Sequence, residues 1–165
     1  MEIQDLTSKI QDISRTIGTL ALRKGAFISV AESCTGGSLT LALTQCPGAS
    51  TWLREGRVAY TYTAKHETLG ISAGILDEGL LTSATAEAMA IAMARHTGTE
   101  YTVATTGACG PASAEGHDPL YAWVAVCDHG KVSSRLIESE DLGRVGNMWY
   151  VTLQALRTLL DIMQR

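Results

Sequence analysis

The chain has 165 residues, 45% of them hydrophobic and 18% charged, with a formal net charge of −4. This length and composition fit one globular domain with a full core of its own and exclude a disordered chain. Lys and Arg are scattered without a basic run, which excludes the electrostatic footprint of a nucleic-acid binder or an anionic-membrane binder. A small anionic ligand stays open, because local backbone dipoles and one or two cations suffice for it.

The chain starts MEIQDLTSKI, acidic and without an apolar run, and no stretch of about 18 apolar residues follows. No signal peptide and no membrane span are expected, and the predicted location is cytoplasmic. Cys34, Cys46, Cys109 and Cys127 form no C-x-x-C pair; they read as free, packing thiols of a reducing compartment. His66, His96, His117 and His129 share no metal-ligand spacing with one another or with the cysteines, so no metal or cofactor is implied.

In chain order, Ile3, Leu6, Ile10, Ile13, Ile17 and Leu20 recur at steps of three and four, the stripe of an amphipathic helix that Lys24-Gly25 ends. Phe27 to Val30 predicts a short buried strand, and Leu39 to Leu43 a helix broken by Pro47-Gly48. Arg57 to Tyr62 reads as a strand and Ala64 to Leu69 as a helical turn ended by Gly70. A helix follows from about Ser83 to His96, with Thr82 or Ser83 as N-cap. Tyr101 to Thr105 predicts a strand, 112–118 a polar loop, and Leu120 to Cys127 with Lys131 to Ile137 a hairpin about Asp128-His129-Gly130. Val145, Trp149, Leu153, Leu156, Leu160 and Met163 mark a last helix. Alternating strands and helices plus one hairpin predict an α/β fold, a single-domain three-layer sandwich over 1–165 with a mixed sheet covered by helices.

Two small-residue turns follow predicted strands: Ser33-Cys34-Thr35-Gly36-Gly37 and Gly107-Ala108-Cys109-Gly110-Pro111. Ligands of open α/β sheets sit beyond the carboxyl ends of strands, and a turn of this kind feeding a helix offers free N–H groups to a phosphate. A tight turn with a capped helix accounts for the same residues. Ser33 and Ser50 stand near turns, and Lys65 follows a strand. A serine needs a base to become a nucleophile, and an enclosed neutral lysine is one; a solvated surface lysine is the other reading.

Ala31-Glu32-Ser33-Cys34-Thr35-Gly36-Gly37 resembles the A-E-S-C-T-G-G signature of the CinA C-terminal domain family, which includes bacterial nicotinamide mononucleotide deamidases. Pro47-Gly48-Ala49-Ser50 resembles the family's P-G-S-S turn, Gly56 to Tyr60 with Ala64-Lys65 and Leu69-Gly70 its G-x-V-x-Y…A-K…L-G stretch, and Thr106 to Pro111 its T-G-I-A-G-P turn. The resemblance covers nearly the whole chain. It implies an amidase of pyridine nucleotide salvage, acting on a linear amide and turning nicotinamide mononucleotide into nicotinate mononucleotide and ammonia with serine and lysine and without metal. It further implies Lys65 as general base, Ser50 as the preferred nucleophile, Ser33 as the second serine and Tyr60 as a proton-transferring or orienting group. Thr35, Gly36, Gly37, Thr106, Gly107, Gly110 and Arg144 become substrate contacts, with Arg144 on the phosphate and turn N–H groups on the oxyanion. A homo-oligomer, dimer or larger, is expected by the same resemblance.

Three stretches depart from the family pattern. Ala112 to Ala122 stands where the family carries further glycines and K-P-V-G-T, with Leu120 and Tyr121 near its V-G; Tyr60-Thr61-Tyr62 replaces Y-S-N; and Asn147-Met148-Trp149 stands where basic residues are common. Two readings follow: an active amidohydrolase with a changed substrate preference, and a non-catalytic binding or interaction subunit on the same fold.

Overall fold

The computed structural model describes residues 3–165, with the Ile3 side chain outside the described set. Helix α1 (Ile3–Lys24) leads into strand β1 (Ile28–Glu32) and helix α2 (Ser38–Thr44). A 3-10 turn (Ala49–Thr51) precedes β2 (Leu53–Val58), and α3 (Tyr62–Leu69), α4 (Ala73–Leu76) and α5 (Ser83–Thr97) follow. Strands β3 (Tyr101–Ala108), β4 (Tyr121–Asp128) and β5 (Lys131–Glu138) precede the closing helix α6 (Gly143–Met163).

One five-stranded sheet has the order β2-β1-β3-β4-β5. Strand β1 pairs in parallel with β2 and β3, and β4 is antiparallel to both β3 and β5. One face meets α1, α2 and α6 through Leu6, Ile10, Ile17, Val30, Leu39, Val124 and Leu156. The other meets α5 through Met89, Met93, Ala104 and Ala125. This is the expected three-layer sandwich with a mixed sheet. Met89 and Met93 are fully buried, and burial of each such side chain stabilises by about 1.5–3 kcal/mol. Among the described residues no helix is long and apolar enough to cross a membrane.

Two boundaries move for local reasons. The strand expected at Arg57 to Tyr62 occupies Leu53–Val58 instead. The Ala59 N–H closes the ladder on the Glu32 carbonyl at 2.8 Å, and the Thr61 hydroxyl accepts from the Ala64 N–H at 3.1 Å, so Thr61 caps α3. Thr61 itself has extended backbone, and its strand-like composition hides a helix start. Strand β3 runs past Thr105 to Ala108 because Ala108 still pairs with Tyr121. Gly107 makes that pairing possible: a Cβ there would lie 2.5 Å from the Ala122 Cβ.

Candidate active site

In the order β2-β1-β3 the chain leaves β1 through α2 on one face of the sheet, and reaches β3 through α5 on the other. The crevice where the winding direction changes is where such sheets hold ligands. A cavity of about 220 Å³ lies there, walled by Ser33 and Cys34 after β1, Tyr60 and Lys65 after β2, and Thr106 to Gly110 at the end of β3.

Lys65 sits on α3 and is 1% exposed. Its Nζ donates to the Ser33 Oγ at 2.9 Å, the Ala59 carbonyl at 2.9 Å and the Tyr60 carbonyl at 3.2 Å. Three acceptors match the three protons of an ammonium. Burial nevertheless disfavours the charge and lowers the Lys65 pKa from 10.5 to about 8, with Cys34 and Glu115 opposing the shift. Once neutral, the amine keeps two N–H bonds to the fixed carbonyls and turns its lone pair toward Ser33. The fold thus brings the Ser33 hydroxyl and a desolvated amine within hydrogen-bonding distance, the arrangement that nucleophile activation requires.

Ser50 is not part of this arrangement. It lies in the 3-10 turn before β2, exposed, on a different cavity shared with Pro47, Arg54 and Glu55. Lys65 follows the other end of that strand. The pairing with lysine assigned to Ser50 from sequence therefore falls to Ser33.

The phosphate cradle expected at Thr35-Gly36-Gly37 is also corrected. The buried Glu32 carboxylate already takes those donors: Oε2 accepts from Gly37 N–H at 3.0 Å and Leu39 N–H at 3.1 Å, and Oε1 from Thr40 N–H at 2.7 Å. The hydroxyls of Thr35 and Thr40 add bonds of 2.6 Å each. Anchored this way, the turn places Ser33 and Cys34 in the cavity wall, while Thr35, Gly36 and Gly37 do not line it. A carboxylate built into the chain occupies the helix N-terminus in place of a ligand.

The turn after β3 does face the cavity. Thr106 is 1% exposed and donates its hydroxyl proton to the Leu80 carbonyl at 2.8 Å, which makes it a wall residue tied to the 79–81 segment. Gly107 and Gly110 line the cavity. Arg144, in the first turn of α6, donates to the Gly110 carbonyl and, at 2.9 Å, to the Tyr60 hydroxyl, spanning the mouth. Tyr60 therefore contributes its carbonyl to Lys65 and its ring, 51% exposed, to the rim. Cys34 and Cys109 also stand in the wall, with the Cys109 Sγ 3.7 Å from the Cys34 carbonyl oxygen.

The CinA C-terminal domain family matches residues 10–163. The chain belongs to this family. A CinA-like protein of Synechocystis is 35% identical over 156 residues, covering 93% of this chain and 37% of its own length. The "Nicotinamide-nucleotide amidohydrolase PncC" of Enterobacter agglomerans is 33% identical over 113 residues, covering 68% of this chain and 69% of its own. Among solved structures, the competence/damage inducible protein CihA of Agrobacterium tumefaciens superposes with a TM-score of 0.89 at 30% identity, over 95% of this chain and 96% of that one. This chain spans roughly a quarter to just over a third of the length of the first CinA-like relatives it matches.

Within this CinA C-terminal domain the three departing stretches have structural answers. Leu120 is buried in the core and Tyr121 opens β4, stacked on His117 with ring centroids 3.6 Å apart, so neither fills the cavity. Glu115 ties the 112–118 loop down, its carboxylate accepting from the N–H groups of Leu80 at 2.9 Å and Leu81 at 3.0 Å. Tyr62 donates its hydroxyl proton to Asp77 at 2.6 Å and stays out of the cavity. Asn147 is fully buried, donating to the Cys109 carbonyl at 3.1 Å and to Asp141 at 2.7 Å, and accepting from Leu142 N–H at 2.9 Å. It fixes the turn after β3. Sequence reading missed the roles of Glu32, Glu115 and Asn147. A polar residue amid apolar neighbours was the available signal for Glu32 and Asn147; Glu115 gave none.

Proposed function

We propose that the domain is a nicotinamide-nucleotide amidohydrolase that uses Ser33 as nucleophile and Lys65 as general base. The observation that carries this reading is the buried Lys65 Nζ, 2.9 Å from the Ser33 Oγ, on the wall of the switch-point cavity. The name of the Enterobacter relative supplies the substrate class.

Neutral Lys65 takes the Ser33 proton, and the alkoxide attacks the carboxamide carbon. The lysinium returns the proton to the departing ammonia, and water then cleaves the acyl-serine with Lys65 again as base. The 220 Å³ of the cavity fall below the ~300–1,000 Å³ of sites that enclose a whole ligand. The pyridine carboxamide fits inside, and the ribose phosphate lies at the mouth. There Arg144 and the start of α6 favour an anion. The product's fate follows from its chemistry: nicotinate mononucleotide requires an adenylyl-transferring step to rejoin the dinucleotide pool, which makes this a salvage reaction.

The test is ammonia release from nicotinamide mononucleotide by the purified chain, with Lys65→Ala and Ser33→Ala controls. Release that both variants lose is the expected result. Folded wild-type protein that releases none at high enzyme concentration refutes the deamidase. The second reading, a binding subunit, draws on the fact that most of each longer CinA-like relative lies outside the region matched here. Pyridine-nucleotide binding without turnover is its signature.

A further inference from the structure

We propose that Cys34 and Cys109 form a dithiol oxidation site for small hydroperoxides, closing to a disulfide across the cavity wall. The two residues follow β1 and β3, which are adjacent parallel strands. The Cys109 Sγ lies 3.7 Å from the Cys34 carbonyl oxygen. Adjacent strands lie ~4.8 Å apart, within the Cα separation that a disulfide spans. Both residues are nearly inaccessible, 6% and 4% exposed, yet both line the cavity. A peroxide of a few atoms reaches them through the mouth, where a protein oxidant does not. Cys46 lies on the separate cavity beside Ser50, and Cys127 lies on β4 against the α5 layer.

The pair is asymmetric. The neighbouring Cys34 thiol and the Arg144 guanidinium lower the Cys109 thiol pKa against the cost of burial. The neighbouring Cys109 thiol and burial push the Cys34 thiol up. Cys109 is therefore the attacking sulfur and Cys34 the resolving one. The Cys109 sulfur attacks one peroxide oxygen and the O–O bond breaks. The Cys109 proton leaves with the other oxygen as water or an alcohol, and a sulfenic acid remains. The Cys34 sulfur then attacks the sulfenic sulfur, the S–O bond breaks, and hydroxide leaves with the Cys34 proton as water. Two thiols are oxidised for one peroxide reduced.

The native chain is treated with hydrogen peroxide, quenched in acid, alkylated, and analysed by intact mass and peptide mapping. Trypsin leaves Cys34 with Cys46 on one peptide and Cys109 with Cys127 on another, so fragment ions must assign the link. The expected result is loss of two hydrogen atoms per chain and a Cys34–Cys109 bond that a thiol reductant reverses, with Cys46 and Cys127 still alkylated. Cys109→Ala, which restores the alanine of the family's T-G-I-A-G-P turn and so keeps the fold, abolishes the link, as does Cys34→Ser. Both cysteines remaining alkylatable in the wild type overturns the proposal, as does Cys109 passing to sulfinic acid without a link, or Cys34 pairing with another cysteine.

Discussion

The two ends of the parallel strands present similar residues with opposite consequences. At the carboxyl end Ser33 follows β1 and meets a buried lysine; at the amino end Ser50 precedes β2 and is exposed. Six residues of β2 separate Ser50 from the cavity side, about 20 Å of extended chain. Both serines occupy small-residue turns, so the turn alone does not make a nucleophile. Of the two, Ser33 has a desolvated amine within hydrogen-bonding distance, and Ser50 does not.

Substitutions sharpen that contrast. Ser33→Ala and Lys65→Ala are each expected to lower kcat by about 10³-fold or more, and Ser50→Ala by less than about twofold. Steady-state ammonia release checks both, and a large loss from Ser50→Ala breaks the comparison.

The next effect is on stability. Glu32→Ala leaves three N–H groups at the start of α2, one buried and two part-buried, without this acceptor, at about 1–3 kcal/mol each. The melting temperature of a domain this size should fall by about 6 °C or more, while Ser50→Ala leaves it unchanged. Asn147→Ala removes the bonds that hold the turn after β3 and should cost about 2 kcal/mol. It should also raise KM, because the same turn lines the cavity.

A further effect comes with pH. In the proposed reaction Lys65 acts as the neutral amine, so kcat should rise as pH climbs through about 8, the Lys65 value, and level off above it. Lys65 titrates near 10.5 in the unfolded chain and near 8 in the folded one, so between those values the unfolded state binds more protons. Its contribution to stability is therefore present above about 10.5 and is lost as pH falls to about 8. Denaturant midpoints of wild type and Lys65→Met across that window should converge or diverge accordingly, and parallel curves would show that Lys65 is not desolvated.

Much of this was legible in the sequence. The stripe of α1, the hairpin at Asp128 to Gly130, the Thr82 cap of α5 and the Gly70 helix end all follow from local rules that the structure repeats. The A-E-S-C-T-G-G and A-K motifs also singled out Ser33 and Lys65, which the fold places 2.9 Å apart. What escaped was non-local. That Glu32 fills the α2 N-terminus depends on its side chain folding back over eight residues to Thr40. That Ser50 belongs to the far end depends on β2 starting at Leu53 rather than Arg57, a shift of four residues. The Cys34–Cys109 contact joins residues 75 apart in sequence, which no spacing rule reports.

The antiparallel hairpin gives the molecule a second pole. Asp128 pairs with Tyr101 at the start of β3, while Tyr121 pairs with Ala108 at the cavity end. The β4–β5 turn, with His129 at φ 48° and Gly130 at φ 83°, therefore sits at the amino end of the parallel strands, away from Lys65. For protein engineering this is the natural attachment point: a tag or reporter inserted between His129 and Gly130 hangs from the face opposite the chemistry. It would leave the mouth under Arg144 and Tyr60 free for substrate traffic.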